Sequence, residues 1–201
     1  YGVERMANVE ASFRSEEVFT QAGFRAWLDR LPPSATGKHE LLRGRIVVSP
    51  AARARHGLVE ARILALLECH VRERGLGLCF GSSTGYELPS GDTLQPDASF
   101  VSKARWQAAG EPDLDGFLPV APDLVVEILS PSSIARDRVE KREIYAANGV
   151  REYWIVDAAA RRLEIHVLSG DDFGAPLVLE RGPIRSAVLP GLDASVEDLF
   201  A

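Results

Sequence analysis

The sequence is poor in cysteine: Cys69 and Cys79 are the only two among 201 residues. Two thiols cannot build a disulfide framework or a four-thiolate zinc site. No stretch approaches the roughly 18 uninterrupted apolar residues of a membrane span. The first thirty residues carry charges throughout and contain no apolar core of the signal-peptide kind. The chain opens at Tyr1, with Met6 as an internal start candidate. These absences predict a reduced, cytoplasmic protein with no membrane partner. Also missing are a G-x-x-x-x-G-K-S/T loop, a G-x-G-x-x-G turn after a strand, and a G-x-S-x-G elbow. Nucleotide-binding loops and serine-hydrolase chemistry are therefore unsupported. There is no internal repeat and no low-complexity tract.

What is present is ordinary globular material, 46% hydrophobic and 26% charged, which excludes disorder. The length predicts one compact domain. Within it, residues 1–37 read as an N-terminal helical extension ahead of a main unit over 38–201. The net charge of −6 argues against nonspecific coating of nucleic acid. Its distribution is uneven. Residues 38–75 hold eight Lys/Arg against four Asp/Glu, whereas residues 92–127 hold two against seven. Such neighbours suit a site that takes both a phosphate and a divalent cation. Patchiness of a solvated surface is the competing explanation.

A Ser-Glu pair at 15–16 and the Pro pair at 32–33 predict a helix over 15–31. Residues 40–49 predict two short strands around Arg43-Gly44. The strongest helix is 55–74, where His56, Val59, Ile63, Leu66, Leu67 and His70 share one face. Strand-like runs follow at 78–81, 84–88 and 94–101, then a long polar loop at 107–122. Residues 123–129 are nearly all apolar, as in a strand buried on both faces. A helix over 133–147, strands at 150–156 and 161–168, and a last strand near 177–179 complete the pattern. Helices among strands of this kind predict an α/β or α+β protein with a central mixed β-sheet flanked by helices.

Two carboxylates interrupt the strand runs, Asp97 in LQPDASFV and Glu127 in DLVVEILS. Burying a carboxylate is costly unless it is paired, hydrogen-bonded or metal-bound. An edge glutamate reaching solvent or pairing with an arginine would also fit. Lys141 lies on one predicted helical face with Ile134, Arg138 and Tyr145, and that face should turn toward the sheet. An exposed Asp137–Lys141 pair at i,i+4 is the alternative. Two carboxylates can hold a Mg²⁺ that keeps its waters and accepts phosphate oxygens, and a nearby lysine can offset developing charge. That is apparatus for phosphodiester hydrolysis. The four histidines form no metal cluster by spacing, but His56 opens the long helix beside Arg53 and Arg55 and could touch phosphate.

Taken in order, HELLRGRIVVSP, RHG, QPDASFV, PDLVVEILSPSS, KREIYAANGVREYWIVD and LPGLDASVEDLF resemble the Uma-two family of restriction-endonuclease-like proteins, within the PD-(D/E)xK nuclease superfamily. The resemblance runs from about residue 38 to 200. It implies a restriction-endonuclease-like fold, a Mg²⁺ or Mn²⁺ site, DNA as partner, and a homodimer. Asp97, after Pro96, fills the aspartate position, Glu127 the second acid, and Lys141 a lysine moved from strand to helix. Glu40 matches an early glutamate that approaches the metal. Asp137, Tyr145 and His56 match further family positions. The usual lysine two residues after the second acid is absent, because Leu129 stands there.

Three readings follow. In the first, the protein is a metal-dependent endonuclease: Asp97 and Glu127 ligate metal, Lys141 and Glu40 assist, and Arg43, Arg45, Arg53, Arg55 and His56 contact DNA. In the second it is a noncatalytic nuclease-fold binding module. In the third it is a structural or regulatory dimer whose buried carboxylates pair with arginines.

Overall fold

A computed structural model describes residues 12–201. The first part of the expected 1–37 extension, with Met6, lies outside the described residues. In chain order the elements are β1 (Phe13–Arg14), α1 (Gln21–Leu28), β2 (Lys38–Leu42), β3 (Arg45–Ser49), α2 (Ala54–Arg74), β4 (Gly77–Gly81), β5 (Tyr86–Glu87), β6 (Thr93–Leu94), β7 (Ala98–Ser102), α3 (Lys103–Ala108) and β8 (Leu124–Ile128). A π-helical turn (Arg136–Lys141) then runs into α4 (Arg142–Ala147). The chain closes with β9 (Glu152–Asp157), β10 (Arg162–Ser169), β11 (Asp172–Phe173), β12 (Leu177–Leu179) and α5 (Val196–Phe200).

The central sheet is mixed, as its sequence pattern predicts, with order β11-β10-β9-β8-β7-β4 and β12 paired to β10. Among the described residues its one parallel pair is β8–β9, joined through the π-turn and α4 as a βαβ unit. A second, antiparallel sheet, β1-β3-β2-β6-β5, departs from the single central sheet that the sequence pattern predicts.

Alternation along β8 sorts its side chains. Leu124, Val126 and Ile128 join the core under α2 with Val59, Ile63, Leu67 and Val71. Val125 belongs to the opposite core, with Tyr145, Tyr153 and Ile155. Period 2 assigns Glu127 to that second face. α2 stops at Gly75, left-handed at φ 60°. β4 then starts at Gly77, φ 156°, where a Cβ would come within 2.1 Å of Val101 O.

Three local expectations are corrected. The helix expected over 15–31 spans only α1. Residues 15–19 run beside the hairpin instead, with Ser15 N donating to Ile46 O at 2.8 Å and Phe19 N to Gly44 O at 2.7 Å. Thr20 then caps the helix, its side chain accepting from Gly23 N. The run 94–101 is two strands in two different sheets, broken at Gln95-Pro96-Asp97. Ile134, expected to face the sheet, is 45% exposed. The widened i→i+5 turn delays the helical phase, so Ile134 rotates outward while Lys141 and Tyr145 stay inward. Among the described residues, no helix is long and apolar enough to cross a membrane.

Candidate active site

Five segments deliver charged side chains to one place. β2 carries Lys38 and Glu40, two residues apart and so on one face. The β6–β7 link carries Asp97, β8 carries Glu127, the π-turn carries Asp137 and Lys141, and the start of α2 carries His56. Glu40, Asp97, Glu127, Asp137 and Lys141 are all buried. The structure thus brings together Asp97, Glu127, Lys141 and Glu40, and the Asp137–Lys141 pair is internal.

Lys141 Nζ lies 2.8 Å from both Glu127 Oε1 and Glu40 Oε1, and 3.8 Å from Asp137 Oδ1. The Tyr145 hydroxyl donates to Glu127 Oε1 at 2.8 Å. Gln95 N donates to Glu40 Oε1 at 2.9 Å. Asp97 is held on both oxygens. Lys38 Nζ donates to Oδ1 at 2.6 Å. Ile128 N donates to Oδ2 at 2.7 Å, and His56 Nε2 lies 3.1 Å from the same oxygen. The Tyr153 hydroxyl donates to the Asp137 carbonyl inside the widened turn at 2.9 Å.

Four buried carboxylates, Glu40, Asp97, Glu127 and Asp137, face two ammonium groups, Lys38 and Lys141, with Arg136 also acting on Glu40 and Asp137 and His56 on Asp97. Burial works to raise the Asp97 pKa, but Lys38 and His56 outweigh it and hold the carboxyl below its usual range. Burial works against the Lys141 ammonium, yet Glu127, Glu40 and Asp137 hold it charged. Burial lifts Glu127, and Asp137 and Asp97 add to the lift against the two lysines, leaving it at about 7. Burial also raises Asp137. Glu40 Oε2 and Asp137 Oδ1 are buried without a hydrogen-bond partner. Among the described residues, no group of three or more His, Cys, Asp or Glu side chains is arranged as a ready metal cage. Mg²⁺ and Mn²⁺ prefer carboxylate oxygens and keep most of their own waters; here the candidate donors are already engaged, Asp97 through both oxygens and Glu127 through Oε1.

The expected phosphate contacts divide. Arg53 holds the N-cap position of α2 without a side-chain cap bond and Arg55 lies in its first turn; both are exposed and lie close in sequence to half-buried His56, whose Nε2 is 3.1 Å from Asp97 Oδ2. Arg43 and half-buried Arg45 lie at the other end of the β2–β3 hairpin from Lys38, and Arg43 pairs with Glu143. They are not brought to the pocket. Sequence reasoning missed Lys38. Its signal was the two-residue spacing to Glu40, which aligns the two side chains once β2 is accepted as a strand.

The fold and family can be compared with known proteins. A crystal structure of a "putative nuclease belonging to DUF820" from Anabaena variabilis ATCC 29413 superposes with a TM-score of 0.71. It is 18% identical and covers 90% of this chain and 97% of its own, a likeness of fold. No curated protein matches. The Uma2 family model, described as "Putative restriction endonuclease", matches residues 26–197. That match spans most of the chain, and the protein accordingly belongs to the Uma2 family.

Proposed function

We propose that the protein is a Mg²⁺- or Mn²⁺-dependent endonuclease that hydrolyses DNA phosphodiester bonds. The observation that carries this reading is the cluster of four buried carboxylates around Lys141 and Lys38, in which Glu40 Oε2 and Asp137 Oδ1 have no hydrogen-bond donor. Buried acceptors that lack a hydrogen-bond donor call for a cation. Asp97 and Glu127 would hold it, with Glu40 alongside. A metal bound there lowers the pKa of a coordinated water and offsets charge developing on the phosphate.

The chain's own groups do the positioning. Ile128 N and His56 aim Asp97, and Tyr145 aims Glu127. Lys141, held charged by three carboxylates, supplies a fixed positive charge that needs no reorganisation during the reaction. Arg53 and Arg55 would meet the phosphate backbone, so binding would weaken with salt. One observation favours a noncatalytic nuclease-fold binding module instead: Asp97 is already engaged through both of its oxygens.

Calorimetric titration with Mn²⁺ and Mg²⁺, with and without DNA, tests this reading on wild type and on Asp97→Asn/Glu127→Gln. The amide variants keep the volume and one acceptor, so the lysines retain partners. Expected are metal binding and metal-dependent nicking of supercoiled plasmid by wild type, both lost in the double variant. A double variant that still cuts refutes the site. Wild type that binds no metal, even with DNA present, selects the noncatalytic module.

A further inference from the structure

We propose that Lys38 is the resident counter-cation of Asp97 and that a divalent cation enters the pocket only by displacing it. The inference rests on the metal-dependent reading above and deepens it by assigning the competitor for the site.

The two oxygens of Asp97 have different jobs. Oδ2 is anchored by Ile128 N at 2.7 Å and His56 Nε2 at 3.1 Å. Oδ1 carries Lys38 Nζ at 2.6 Å. Removing Lys38 therefore frees one oxygen while the other keeps the carboxylate in place. The two pocket lysines are also unequal. The Lys141 side chain is 2% exposed and bridges three carboxylates, so it has nowhere to go. The Lys38 side chain is 20% exposed and pairs with one carboxylate. Its backbone is pinned as the first residue of β2, opposite Ser49, after a Gly37 whose Cβ would meet Ser49 O at 2.3 Å. The flexible four-carbon stem can then swing toward solvent while the backbone stays fixed. The Lys38 ammonium sits on Oδ1, the Asp97 oxygen that takes no backbone donor, and so occupies the position a metal ion would need.

The test is calorimetric Mn²⁺ titration of wild type, Lys38→Met, Lys38→Gln and Lys38→Arg. Loss of one charge-assisted hydrogen bond to the competitor should tighten Mn²⁺ binding about tenfold or more in the Met and Gln variants. Lys38→Arg, which retains a cation on Oδ1, should bind as wild type does. Binding by the Met and Gln variants where wild type shows none also supports the proposal. Equal affinity in wild type and the Met and Gln variants overturns it and leaves the metal site standing. No binding in any of the four proteins overturns both. If the Met and Gln variants fail to fold, ¹³C NMR of the lysine ε-carbons in wild type decides: Mg²⁺ saturation should shift the Lys38 signal. A Lys38 signal unmoved while Mg²⁺ binds refutes displacement.

Discussion

Replacing Lys141 with methionine separates an internal charge network from a surface pair. The substitution keeps the stem and deletes the one ammonium that touches Glu127 and Glu40 at 2.8 Å. The 3.8 Å neighbour Asp137 loses the same cation. Breaking a buried ion pair by removing one partner typically costs about 3–5 kcal/mol, because the other charge stays buried and uncompensated. For a domain of this size each kcal/mol moves the midpoint by about 2–4 °C, so thermal unfolding at pH 7.5 should fall by about 6–20 °C. The loss should shrink toward pH 5. Without Lys141 the folded-state carboxylates titrate above their unfolded values, so the folded state binds more protons and gains stability as pH falls. Lys141→Met/Glu127→Gln should recover part of the loss, since one of the stranded charges is gone. Chemical denaturation of the three proteins at two pH values measures this. A loss below about 1 kcal/mol in Lys141→Met would refute the network, because a solvated i,i+4 pair contributes only about 0.2–0.5 kcal/mol.

Glu127, raised to about 7 by burial, should make the wild-type protein lose stability as pH rises from its unfolded value of 4.5 through 7. Glu127→Gln should flatten that slope, and an unchanged slope would assign it to another group. Asp97, held low against burial by Lys38 and His56, works in the opposite sense: its contribution is present above pH 3.8 and lost in stronger acid. Asp97→Asn should therefore remove an acid-side loss of stability in denaturation curves below pH 4. Glu152 accepts from Trp154 Nε1 at 2.6 Å and from Ala187 N at 2.6 Å, tying the C-terminal segment to β9. Glu152→Ala strands these donors and should cost about 1–3 kcal/mol in denaturant unfolding. Under the proposed function, Arg53→Ala and Arg55→Ala should each lower the slope of log affinity for DNA against log salt by about 1, measured by fluorescence anisotropy. Slopes identical to wild type would remove these arginines from the DNA contact.

The elements with a clean period were legible. β8 announced itself as an apolar run, and Glu127 as the one charge within it. The face of α2 holding Val59, Ile63, Leu67 and His70 is buried as its spacing predicts. Positions set by non-local contacts were not legible. The Ser15–Glu16 pair imitates a helix start, but the hairpin takes up the backbone of residues 15–19 and moves the true cap to Thr20. β5 and β6 are two residues each, too short to show alternation, so their addition to the β2–β3 hairpin left no periodic trace. The π-turn has no compositional mark, and the resulting phase shift sent Ile134 to the wrong side of the helix. Within the pocket, the carboxylates stood out because a charge in an apolar strand is anomalous. Lys38 did not, because a lysine at a strand's first residue is usually solvated.

The anchoring of the pocket explains how so much buried charge coexists with a defined geometry. Asp97 Oδ2 and Glu40 Oε1 each accept a backbone N–H, from Ile128 and Gln95. Those donors are fixed by the sheets and do not depend on which cation is nearby. Glu127 differs: its Oε1 is held by Lys141 and Tyr145, side chains of the π-turn and α4. Two acids are thus positioned by β-structure and one by the helical crossover that returns to β9. The widened turn carries Asp137 and Lys141 inward together, and the Tyr153 hydroxyl meets the Asp137 carbonyl within it. Regular helix would have kept Ile134 in phase with Lys141 and Tyr145, facing the sheet. Asp97 and Glu40 therefore keep a backbone donor whichever cation faces them, whereas Glu127 depends on Lys141 and Tyr145 for its place.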